Sequence, residues 1–160
     1  DQTMRIFFGV FTLVALFSTP LIHAQDSAVM AGWEKDSPYN SRYDAAELDQ
    51  LRGVVTDIRE VVPLPGMSPA VALAVQESEG DEILVHLCPA WFADRTAIGV
   101  KKGDKVKIRG AWAEFDGADV FMASKVNMGD FFEFKVRLTK DGTPFWTMTP
   151  EELERERQSQ

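Results

Sequence analysis

The stretch KVKIRGAWA at 105–113 sets apolar Val106, Ile108 and Trp112 against basic Lys105, Lys107 and Arg109. Side chains of an extended chain point alternately to opposite faces, so a period of two describes a strand with one buried and one solvated face. A helix would scatter the same residues around its axis. The alternation recurs in FFEFKVRL at 131–138, with Phe132, Phe134, Val136 and Leu138 against Glu133, Lys135 and Arg137. From residue 51 to 138 the apolar runs are short and separated by Gly, Pro, Asp and Asn, which is strand-and-turn punctuation. A chain patterned in this way folds mostly into sheet and has to deal with its sheet edges.

The order of elements narrows the architecture. LRGVVTDIREVV (51–62) predicts a long strand with a bend or bulge at Gly53. PLPGMSP (63–69) is a loop. AVALAVQ (70–76) and ILVHL (83–87) form a hairpin around ESEGDE (77–82). Residues 88–104 are a longer connection with room for a short helix. KVKIRGAWA and ADVFMASKV (118–126) form a second hairpin around FDG (115–117), and NMGD (127–130) leads into the sixth strand at 131–138. A long bent strand, a hairpin, a helical connection and a second hairpin are the order of a five-stranded oligonucleotide/oligosaccharide-binding (OB) barrel. The expected fold is therefore all-β: a small OB-type barrel with an additional C-terminal strand and short terminal helices. A β-sandwich is the competing architecture.

The ends of the chain read differently. Met4-Arg5 precedes an uncharged run, Ile6 to Phe17, and then STPLIHAQ with Pro20 and Ala24. This predicts a secretory signal peptide over residues 1–24, in which residues 1–3 precede the start methionine. The run falls short of the roughly 20 apolar residues that span a bilayer, so no membrane span is expected after cleavage and the product is periplasmic or secreted. Residues 25–43 read as an extended lead-in that Trp33, Tyr39 and Tyr43 pin to the domain. Residues 44–147 are the barrel, and Asp44 and Glu47 have capping-box spacing at its start. Residues 148–160 are a polar helical tail capped by Thr149 with Pro150 at its first position. The chain has one cysteine, which excludes an internal disulfide, and a net charge of −8, which opposes non-specific attraction to nucleic acid or anionic lipid.

LRGVVTDIREVVPLPGMSPAVAL, ILVHLCPAWF, KKGDKVKIRGAW, VFMASKV and VRLTKDGTPFW, taken in order, resemble a family of exported bacterial OB-fold domains. It includes the domain shared by the S and X proteins of magnetosomes, and many members carry a DNA-binding label. The resemblance covers about residues 44 to 146. It implies an OB-type fold and export. Cys88 stands where the family usually has glycine. The chain also lacks the C-x-x-C-H of covalent haem attachment.

Four sets of residues carry the functional expectations. OB barrels bind through strands two and three and the loops joining strands one to two and four to five. Met67 and Phe115 are accordingly expected near an open mouth with Trp91 and Phe92, either as an exposed patch for a protein partner or small ligand or as a plug of the barrel end. His86 and Cys88, two apart on one strand, would share a face. They offer an imidazole and a thiolate for copper or zinc, with Met67, Met122 or Met128 as further donors. Against this, one histidine remains once His23 leaves with the signal peptide, and a buried strand end explains the cysteine more simply. Lys101, Lys102, Lys105, Lys107 and Arg109 form a basic stripe that Lys125, Lys135 and Arg137 would extend. Aromatics on the opposite face make it a solvated surface rather than a nucleic-acid groove. Phe145 and Trp146 of DGTPFW are expected to pack as a lid. With no nucleophile, base and orienter together, the reading is a non-catalytic binding or accessory module without a cofactor. The alternatives are a metal or redox accessory at His86 and Cys88 and, behind it, a single-stranded nucleic-acid binder.

Overall fold

The computed structural model describes residues 29–96 and 98–159; the segment expected to direct export lies outside the described residues. Six strands run β1 Leu48–Val61, β2 Ala70–Gln76, β3 Glu82–Pro89, β4 Lys105–Phe115, β5 Ala118–Met128 and β6 Phe132–Lys135. They form one sheet in the order β3-β2-β1-β4-β5-β6, and β3 also pairs in parallel with β5 through Val85↔Phe121 and His86↔Met122. The ring β1-β2-β3-β5-β4 closes an OB-type barrel with β6 added outside it, as the strand order predicts. The connection after β3 holds the short helix Ala90–Thr96.

Alternation builds the interior. Leu51, Val55, Leu73, Val75, Val85, Val106, Ile108, Phe121 and Val126 are all buried, and each fully buried side chain of this size contributes about 1.5–3 kcal/mol. Long β1 serves two neighbours. Leu48 to Val54 pair with β4 and Val54 to Val61 with β2, so the strand changes partner at Gly53-Val54. A Cβ on Gly53 would overlap the Gln76 carbonyl and lie 2.8 Å from a Val75 methyl. The register shift itself comes between Val55 and Asp57, with Thr56 as the extra residue. Its hydroxyl donates to the Ala74 carbonyl at 3.2 Å.

The last expected strand is cut short. β6 ends at Lys135, and the backbone amides of Val136 and Arg137 both donate to the Ser124 carbonyl, at 2.9 and 3.2 Å. Ser124 is itself the extra residue where the β4–β5 register shifts. Alternation fails there, and Arg137, expected on the outer face, is 2% exposed. It therefore does not extend the basic stripe. Trp112 departs from expectation more mildly. It is half-buried, edge-on to Phe121, and its Nε1 donates to Asp49 at 3.0 Å.

Both terminal segments are capped, Thr149 as expected and Asp44 through the Ala46 amide in place of the Glu47 amide of a capping box. The Asp44 carboxylate accepts from the Ala46 amide at the turn Ala45–Glu47, and the Thr149 side chain accepts from Glu152 at the helix Pro150–Gln158. The lead-in does more than touch the surface. Trp33 and Tyr39 are 0% and 2% exposed, so from Val29 onward it belongs to the packed unit. Gly53→Ala is expected to lower the unfolding free energy by about 2 kcal/mol through overpacking, read from urea midpoints at unchanged slope.

Candidate functional site

The residues expected at an open mouth are brought together, but under cover. Phe115 packs on Tyr39 at 5.5 Å between ring centroids, with the Arg42 guanidinium 4.5 Å from its ring. Met67 lies against Gly32. Trp91 donates to the Val29 carbonyl at 3.1 Å, and Phe92 meets Trp146 edge-on at 6.0 Å. Trp33 donates to the Ser68 carbonyl in the β1–β2 loop at 3.1 Å. Met67, Phe92 and Phe115 are buried and Trp91 is half-buried. The expected exposed patch is therefore not present, because the chain's own residues 29–43 and Trp146 lie over it.

His86 and Cys88 are separated in an unexpected way. β2 pairs Ala72 with His86 and Val71 with Cys88, leaving Leu87 as the extra residue of a bulge. Consecutive Val71 and Ala72 point to opposite faces, so their partners do as well, and the shared face expected from simple spacing is lost. His86 Nδ1 shares a 3.0 Å hydrogen bond with the Tyr39 hydroxyl, and its ring lies tilted against Phe115 with 5.6 Å between centroids. Burial, with Arg137 nearby, pushes the imidazole down to about 4, and burial pushes the Tyr39 phenol up to about 12. Both side chains are thus neutral at pH 7. Cys88 is buried in the core. Among the described residues no group of three or more His, Cys, Asp and Glu gathers to hold a metal. His86 and Cys88, paired with residues of opposite faces, do not form one imidazole–thiolate donor pair.

Arg137 anchors the covering segment. Its Nη2 donates to Asn40 Oδ1 at 2.8 Å and its Nη1 to the Gly142 carbonyl at 3.1 Å, while the guanidinium lies 4.7 Å from the Trp146 ring centre. Trp146 in turn donates to the Trp33 carbonyl at 2.9 Å. Phe145 and Trp146 are buried as DGTPFW suggested, and the turn is made by Gly142 at φ +78°.

The open surface lies elsewhere. A groove of about 690 Å³ crosses the outer faces of β1 and β4, walled by the β2–β3 turn on one side and the β5–β6 turn on the other. Arg52 and Val54 of β1 and Lys105 and Lys107 of β4 line its length. Arg52 stands directly opposite Lys107, and Gln50 opposite Arg109. An adjoining hollow of about 350 Å³ continues past Arg52 to Glu79. Two members of the basic stripe, Lys105 and Lys107, therefore line this groove. Arg109 is exposed along the same face, while Lys101 and Lys102 are exposed beyond the lining, Lys102 in an ion pair with Asp57 at 3.3 Å. Lys125 and Lys135 both pair with Glu133, at 3.6 and 3.5 Å. Sequence reading missed Arg52, Ser78 and Asp130, since nothing local says which residues β1 sets opposite β4.

Two consequences are measurable. His86 is neutral when folded but takes a proton near its ordinary 6.5 when unfolded. Stability is therefore complete above pH 6.5 and falls as pH drops toward 4. Between pH 7 and pH 5 the unfolding free energy should drop by about 2 kcal/mol, and His86→Gln should remove this component. Arg137→Lys keeps the charge but loses the fork, so about 3 kcal/mol is lost. Arg109→Lys on the exposed face should stay within about 0.5 kcal/mol. Denaturation of the two variants side by side tests the contrast.

Among solved structures, the chain is similar to a chain of the S. pombe Stn1-ten1 complex, with 15% identity over 71% of this chain and 67% of that one and a TM-score of 0.41. Nothing among curated proteins matches it. Residues 47–132, more than half of the sequence and every strand of the barrel, match the MamS/MamX magnetosome protein family. The chain belongs to that family.

Proposed function

We propose that this domain is a non-catalytic binding module of the magnetosome family, acting in the periplasm or outside the cell, and that it receives a partner in the groove across β1 and β4. The observation that carries the reading is the contrast between its two candidate surfaces. The loop-end face is covered by the chain's own aromatic lead-in, whereas the groove is concave and open and has about the size of a ligand site. The uncharged run after Arg5 supports export, and among the described residues no helix is long and apolar enough to cross a membrane. Pre-formed strands make the groove rigid, which favours recognition over chemistry that needs closure.

The reading is tested by placing a photo-crosslinking residue at Ser78, in the groove wall, and separately at Glu60, exposed at the far end of β1. In the producing cell the Ser78 chain should give a discrete adduct that the Glu60 chain does not. Identical products from both positions, or none from Ser78, would overturn it.

A further inference from the structure

The groove's charge is not explained throughout by protection of a sheet edge. At Lys107 and Arg109 β4 is paired on both sides, with β1 and with β5, so this part of the basic stripe does not guard an edge against aggregation. Nor does shortage of acid explain it, since 25 Asp and Glu accompany 17 Lys and Arg. Among the described residues Arg52, Lys105, Lys107 and Arg109 make no ion pair, whereas Arg59, Lys102, Lys125 and Lys135 do. Arg52 and Lys107 even face each other across the strands, an arrangement that costs stability when both charges stay unneutralised. A ligand carrying negative charge removes that cost. Forked guanidinium donors match a carboxylate in two hydrogen bonds, and the neighbouring ammonium adds a point charge.

The surroundings distinguish polypeptide from nucleic acid. Among the described residues no aromatic side chain lines the groove itself, so successive bases would find no row of stacking platforms along it. Glu77 and Asp130 stand in its walls and would repel a continuous phosphate backbone, but leave room for a chain whose charges are spaced. Phe131, next in the chain to the lining residue Asp130, is 100% exposed on the β5–β6 turn, an apolar side chain within reach of an extended ligand that leaves the groove there. We infer that the groove recognises an extended, carboxylate-bearing segment of a partner polypeptide, with Arg52 and Lys107 holding carboxylates and Phe131 meeting a neighbouring apolar side chain. This rests on the groove being the partner surface.

The test titrates purified chain with a fluorescent peptide, Glu-Val-Glu-Phe-Glu-Val-Glu, and in parallel with its Lys-for-Glu counterpart and a single-stranded oligo-dT of ten nucleotides. Amide shifts in the protein locate each probe. The acidic peptide should bind with shifts at Arg52, Lys107 and Gly129, weaken at least tenfold in Arg52→Ser/Lys107→Ser and severalfold in Phe131→Ser, and weaken as salt rises. All these positions are exposed, and an unchanged melting temperature confirms folding of the variants. Tighter binding of oligo-dT, equal binding of the basic peptide, or no shifts in the groove would each overturn the inference. The Ser78 crosslink separates the two levels. An adduct that persists in the double variant sinks the carboxylate inference and leaves the groove standing; absence of the adduct in the unaltered chain sinks both.

Discussion

A buried guanidinium organises the outside of this barrel. Arg137 is desolvated, which pushes its pKa down from the ordinary arginine value, and among the described residues no carboxylate pairs with it. It is held instead by the side-chain oxygen of Asn40, the Gly142 carbonyl and the face of Trp146, with Nε left without a hydrogen bond. A charge removed from water requires such partners, and these three come from the lead-in, the Asp141-Gly142 turn and the C-terminal segment. The guanidinium has these partners only when all three pack together. Asn40 extends the dependence by donating to the Trp33 and Glu34 carbonyls at 3.0 and 2.7 Å, which closes the lead-in on itself.

That packing decides which concave surface stays open. Once Trp33, Tyr39 and Trp146 are seated, His86, Phe115, Met67 and Phe92 become the floor under them rather than the lining of a mouth. His86 is neutral and engaged by Tyr39, consistent with a polar group satisfied inside a packed layer. The face through which OB barrels bind is given to the chain's own segment, and the accessible concave surface is displaced to β1 and β4. In this fold the location of the open concave surface follows from what covers the barrel as much as from the barrel itself.

Much of the fold was legible because strands and turns are written in near neighbours. Val106 and Ile108 against Lys105 and Lys107, the Asp-Gly turn, Asp44 as a cap and Thr149-Pro150 as a helix start are each decided within a few residues, and each formed. Two of the errors have one origin. Single-residue bulges at Leu87 and Ser124 interrupt the alternation, so His86 parts from Cys88 and Arg137 turns inward from a strand read as running to Leu138. Nothing in HLC or in KVRL announces the interruption, because a bulge is set by what the partner strand and the layer above it require. For the site, Lys105 and Lys107 were legible as an outer face, while their partner Arg52 was not.

The sequence by itself determined an acidic, β-rich chain with the strand order of an OB-type barrel, since alternation and turn chemistry act locally. Only the tertiary structure decided the register that sets Arg52 opposite Lys107, the inward turn of Arg137 and the covering of the loop end by residues 29–43. Each of these depends on contacts between segments distant in the chain. A shift of one residue in pairing reverses which face a side chain takes, so local pattern leaves the facing open and long-range packing settles it.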